Sequence, residues 1–112
     1  MNKKRIAFDV KGTIEGPKKD LVLHIFEKLQ EQGHECVVWS NLYSYAVDAI
    51  KDNNLKNTQA MSKKSKGDLL SNGEELFDLC IEDDRSQTYL GAKKIAFVDE
   101  LTYGYVVKLL SE

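Results

Sequence analysis

With 112 residues, 42% of them hydrophobic and 30% charged, the chain has ordinary globular composition and too little length for two independent cores. Its 16 basic residues against 18 acidic ones leave a formal charge of −2, so no basic excess calls for nucleic acid or an anionic membrane. The only cysteines, Cys36 and Cys80, both stand inside apolar runs, which argues against a disulfide framework or a zinc cluster. One domain over residues 1–112 is expected. A cytoplasmic location is expected too, because the first apolar run, Ile6-Ala7-Phe8, is cut at Asp9, far short of a signal-peptide core or a membrane span.

Taken in order, short apolar runs alternate with stretches of helical period, the pattern of a mostly parallel sheet covered by helices. Ile6–Phe8 reads as a strand ending at Asp9. Pro17 to Gln32 reads as a helix, with Val22, Ile25, Phe26 and Leu29 on one face, Pro17 in its first turn and Gly33 at its C-terminal cap. Glu35–Trp39 is a second strand, ending at Ser40. Leu42, Tyr45, Ala46, Ala49 and Ile50 mark a second helix, with Ser40 or Asn41 as its cap and Asn53-Asn54 closing it. Thr58–Met61 is a candidate third strand, and 63–72 a polar loop. Phe77–Ile81 is a strand ending at Glu82-Asp83-Asp84, Ser86–Leu90 a short helix, and Lys94–Val98 a strand ending at Asp99. Tyr103, Val106, Val107 and Leu110 mark a C-terminal helix. The expected architecture is a Rossmann-like three-layer α/β sandwich.

In such a sheet the C-terminal strand ends share one edge, where ligands bind among the loops. Asp9, Ser40 and the cluster Glu82-Asp83-Asp84 each follow a separate strand, so this edge collects them. Carboxylates that converge repel one another, and a hard cation such as Mg²⁺ relieves the repulsion. Metal-assisted phosphoryl chemistry is the function these residue types point to. A capping role for Ser40, and a helix-terminal role for the acidic cluster, would place the same residues there in a protein without activity.

Ile6-Ala7-Phe8-Asp9-Val10-Lys11-Gly12-Thr13-Ile14 resembles the hhhDxDGT(L/V) signature of the haloacid dehalogenase (HAD) superfamily of phosphohydrolases. Val37-Val38-Trp39-Ser40-Asn41 resembles the family's second motif, and Leu79-Cys80-Ile81-Glu82-Asp83-Asp84 its fourth, in the same order. The resemblance covers almost the whole chain. It implies that Asp9 attacks phosphorus to give an aspartyl-phosphate and lends an oxygen to Mg²⁺, and that Ser40 hydrogen-bonds the phosphoryl oxygens. Gly12, Thr13 and Asn41 are implied beside the substrate, with Gly12 giving the sharp turn after the nucleophile. Asp83, with Glu82 or Asp84 directly or through water, is implied to complete the metal site, together with the backbone carbonyl of Lys11. A basic residue is implied between the second and fourth motifs. Lys63, Lys64 and Lys66 compete for that role, with Lys63 favoured because it follows the third strand.

The departure from the family pattern is Lys11, which stands where its phosphatases carry the aspartate that protonates the leaving group and later activates water. An ammonium with an ordinary pKa near ~10.4 is no general base at neutral pH. Placed beside Asp9, it is expected to pair with the nucleophile and compete with the metal. Three outcomes are open: slow hydrolysis, phosphoryl chemistry that needs no aspartate, or a silent domain that binds a partner. Neither gap between motifs holds a cap domain. The resemblance therefore implies an open crevice suited to macromolecular phosphorylated substrates, or to small ones under a lid supplied by another copy. Among the aromatics, Tyr43 is the one expected beside that crevice.

Overall fold

The computed structural model describes residues 2–63, 75–87 and 90–112. Its centre is β1 (Arg5–Asp9), whose unbroken apolar run is the mark of a strand buried on both faces. Around it a five-stranded, wholly parallel sheet runs in the order β3-β2-β1-β4-β5, with β2 Glu35–Ser40, β3 Gln59–Ser62, β4 Phe77–Glu82 and β5 Ala92–Phe97. The chain winds outward from β1 to β3, then crosses back to β4. This reversal, between β1 and β4, is the point where an α/β sheet opens a crevice at its carboxyl edge.

Helices α1 (Lys19–Glu31), α2 (Tyr43–Asp52) and α3 (Tyr103–Ser111) all belong to one core. There Ile6 and Phe8 of β1, Val38 of β2 and Ile81 of β4 meet Val22, Phe26 and Leu29 of α1, Ala46 and Ala49 of α2, and Val106 of α3. The opposite face of the sheet carries a second cluster, Ala7, Val37, Trp39, Phe77, Cys80 and Leu90, in which Trp39 meets Phe77 edge-on at 4.7 Å. The described residues thus show an α/β fold with helices on one face of a parallel sheet. A third layer would need cover on the other face, and residues 64–74 and 88–89, which include most of the expected polar loop and part of the expected Ser86–Leu90 helix, lie outside the described residues.

Two helix ends come directly from sequence. At α1, Gly33 (φ +88°) donates to Gln30 O and His34 to Leu29 O, closing a Schellman motif. At α2, Asn54 (φ +54°) repeats the pattern, with Asn54 N–H to Lys51 O and Leu55 N–H to Ile50 O. Pro17 differs from expectation. It sits in a turn just before α1 rather than inside its first turn. Among the described residues, no helix is long and apolar enough to cross a membrane.

Candidate functional site

Asp9 ends β1 and Glu82 ends β4, on the two strands that flank the reversal. Lys63 follows β3 and is tied in place by its own N–H, which donates to Ser40 O at 2.8 Å and so extends the β2–β3 pairing by one step. From there its Nζ donates to Asp9 Oδ1 at 2.7 Å and to Glu82 Oε2 at 2.9 Å. The three side chains are only 3–11% exposed, so each charge depends on the others.

Asp83 joins this group from the loop after β4. Oxygens of Asp9, Glu82 and Asp83 lie within 4.8 Å of one another. Among the described residues, one ammonium against three carboxylates leaves an excess of two negative charges when all are ionised, and a hard dication is the complement of such an oxygen set. The group can therefore hold a metal ion. Of the two alternatives beside Asp83, Glu82 joins this group, while Asp84 lines the same cleft outside it. Its Oδ1 accepts from the backbone N–H of Ser86 at 2.9 Å and from the Ser86 hydroxyl at 2.7 Å, which holds the carboxylate in an Asx turn. The Glu82 oxygen that does not face Lys63 accepts from the N–H groups of Asp83 and Asp84.

The loop after β1 is shaped to receive Asp83. Val10 O accepts from both Thr13 N and Glu15 N, and Thr13 Oγ1 donates to Asp9 Oδ2 at 3.4 Å. Gly12 has φ +79°, and a Cβ there would fall on the Asp83 carboxylate. Gly12→Ala is accordingly expected to destabilise the fold by about 1–3 kcal/mol. It should also displace Asp83 and weaken divalent-cation binding. Urea denaturation checks the first effect and calorimetric titration of the cation the second.

Burial raises the Asp9 carboxyl above its ordinary pKa against the pull of Lys63. Glu82 is pushed up to about 7, chiefly by burial and then by the charge of Asp9. Lys63 is raised, since the hydrogen bonds and charges of Asp9 and Glu82 outweigh its own burial. A carboxyl raised on folding stabilises fully below its unfolded pKa and loses that contribution as pH rises through the folded value. Without divalent cation, the Glu82 contribution to stability is expected to fall by about 1–3 kcal/mol between pH 4.5 and 8, opposed in part by His34, which burial lowers and whose contribution therefore rises with pH. Asp84, Asp99 and Glu112 are shifted downward by Ser86, Arg85 and Lys94 respectively, so their effect has the opposite sign and is confined to more acid pH. Thermal melts across this range, with and without divalent cation, check the trend.

Lys11 does not pair with Asp9. Its Nζ lies 4.8 Å from the centroid of the Tyr45 ring, a cation–π contact at the exposed side of the site. Lys63 supplies the partner of Asp9 instead, because the β2–β3 pairing aims it there. Neither Ser40 nor Asn41 caps α2, whose N-cap is Leu42 with no side-chain cap bond. Both line the cleft instead. It has a volume of about 410 Å³ and holds Asp9, Lys63, Glu82 and Asp83 together with Lys11, Leu42 and Tyr45. Tyr43, the aromatic expected here, is exposed and outside this lining. Sequence reasoning missed Tyr45 and Leu42. The signal was present, since Tyr45 stands four residues after Asn41, on the first turn of α2. Cys36 and Cys80 are buried, and burial raises both thiols, Cys36 to about 12, so neither is a nucleophile.

No family model, curated protein or solved structure matches the chain.

Proposed function

We propose that the chain is a Mg²⁺-dependent phosphohydrolase of the HAD type, without a cap, acting on phosphomonoesters through Asp9. The observation that carries this reading is the Lys63 ammonium held between Asp9 and Glu82 at the sheet's reversal, with Asp83 alongside. In this reading a carboxylate oxygen of Asp9 attacks phosphorus and displaces the ester oxygen, and water then hydrolyses the aspartyl-phosphate. Lys63 balances charge on the nucleophile and on the phosphoryl group, and Thr13 fixes the orientation of Asp9. Ser40 and Asn41, free of any capping duty, offer hydrogen bonds to the phosphoryl oxygens. Mg²⁺ would be held by Asp9, Glu82 and Asp83, with the Lys11 carbonyl as the resemblance implies, and would supply neutralisation of phosphate charge.

A silent binding or regulatory module is the second reading. One observation favours it: an ammonium resting on Tyr45 at the position of the family's general acid and base. Phosphate release from a panel of phosphomonoesters, with and without Mg²⁺, separates the two readings. The first expects Mg²⁺-dependent release that drops by at least about 10³-fold in Asp9→Asn, the scale of losing a nucleophile. Silence in the native protein and in Lys11→Asp would leave the module.

A further inference from the structure

Position 11 and the wall beside it bear on which phosphate esters the cleft takes, a choice of substrate that rests on the hydrolase reading. Lys11, Tyr45 and Leu42 form the open side of the cleft whose floor carries Asp9. Leu42 is 53% exposed and Tyr45 37%, an apolar and an aromatic surface turned to solvent at the mouth of an otherwise charged site. An adjoining depression past Tyr45 has the buried Val10 and Ala49 at its floor and Lys11, Glu15, Asp48 and Asp52 around it. A flat apolar leaving group covers the Tyr45 and Leu42 part of this wall, which a hydroxylated one does not.

The chemistry of leaving agrees with the wall. An alkoxide departs as a very strong base and needs a proton donor, the role the family gives to the aspartate this chain lacks. An aryl oxide, the conjugate base of a phenol with pKa near ~10, departs unprotonated. We infer that the cleft is selective for aryl phosphate monoesters, with the aromatic leaving group seated on Tyr45 and Leu42 and its departing oxygen facing the Lys11 ammonium. An Asp9 oxygen bonds to phosphorus while the bond from phosphorus to the aryl oxygen breaks. The electron pair leaves on that oxygen, which is stabilised by the adjacent positive charge and takes its proton from water. No carboxylate stands at position 11 to draw a proton from the second water, so the aspartyl-phosphate hydrolyses more slowly than it forms.

The test has a binding arm and a turnover arm. By calorimetry in Mg²⁺, benzylphosphonate is expected to bind about tenfold more tightly than methylphosphonate, a preference lost in Tyr45→Ala and kept in Tyr45→Phe. Equal affinity for the two phosphonates, or a preference that survives Tyr45→Ala, overturns the inference while leaving a phosphate site in place. With phenyl phosphate, a burst of about one equivalent of phenol per protein is expected, followed by slow turnover. A phosphotyrosyl peptide and phenyl phosphate compared side by side show whether the aryl group comes from a protein or a small molecule, and a phosphoseryl peptide should give no burst. A benzyl preference with no turnover of any ester would retain the aromatic subsite and end the hydrolase reading. Failure of both phosphonates to bind would end both.

Discussion

Replacing Lys63 by methionine is expected to lower the stability of the cation-free protein at pH 8 by about 3–5 kcal/mol, the scale on which removing one partner strands a buried charge. Methionine keeps most of the volume, so the loss is electrostatic. Asp9 and Glu82, at 2.7 and 2.9 Å from Nζ, would face each other and Asp83 with no countercharge among the described residues of the cleft nearer than Lys11, whose ammonium rests on Tyr45. At pH 5 the loss should shrink, because Glu82, already raised to about 7 beside Lys63, takes up a proton. Saturating Mg²⁺ should restore much of the stability at pH 8. Urea denaturation at the two pH values, with and without cation, checks all three statements. An equal loss at both pH values would mean that the lost packing of the Lys63 stem matters more than its charge.

The second large effect is a gain. On the proposed hydrolase reading, Lys11→Asp is expected to raise steady-state phosphate release by about 10²–10⁴-fold, the usual contribution of a positioned general acid and base. The new carboxylate can protonate an alkoxide, so alkyl phosphates should gain most, and it can activate water against the aspartyl-phosphate. The substitution shifts the cleft by two charge units and tightens its hold on cations, so rates are to be compared at saturating Mg²⁺. The side chain at position 11 is exposed, which keeps the cost to folding small. A native burst that becomes linear release in Lys11→Asp would place the limiting step at aspartyl-phosphate hydrolysis. An unchanged rate would mean that position 11 does not control that step.

The strands that carry the site were the most legible part of the chain. β1 and β2 are buried on both faces and appear as unbroken apolar runs that stop where a polar end residue meets the crevice; in β4 the run Leu79–Ile81 does the same after Asp78, whose carboxylate accepts from Arg5 N–H. β3, expected over Thr58–Met61 and found at Gln59–Ser62, is a half-exposed edge strand with a correspondingly weak pattern. β5 begins at Ala92, two residues before the expected start. Lys93 and Lys94 look like loop but suit an edge strand, and Lys94 Nζ donates to Leu109 O at 3.0 Å and so meets the end of α3. Val98, expected as its last residue, instead opens a 3-10 turn over Val98–Glu100, and Asp99 in that turn is held by Arg85.

Site details were less legible wherever they depended on pairing between strands or on a local turn. No spacing tells which lysine faces Asp9. Among the described residues it is Lys63, placed by its N–H to Ser40 O bond, which fixes where β3 releases the chain; Lys64 and Lys66 lie outside the described residues. Three consecutive acids likewise look equivalent in sequence, but Asp84 is drawn away by Ser86 two residues on, while Glu82 still lies within β4 and faces Lys63. The placement of Lys11 on Tyr45 depends on the loop after β1 meeting the first turn of α2, which neither segment announces.

Trp39, the sole tryptophan, lies with its ring 5.7 Å from Lys63 Nζ. The chain therefore carries its own optical gauge of the crevice. Indole emission responds to nearby charge, so a cation entering beside Asp9, a proton arriving on Glu82 and a phosphoryl group arriving on Asp9 should each shift the same signal through Lys63. Because no other indole contributes, a fluorescence titration of the unlabelled protein can follow occupancy and ionisation of the site in real time.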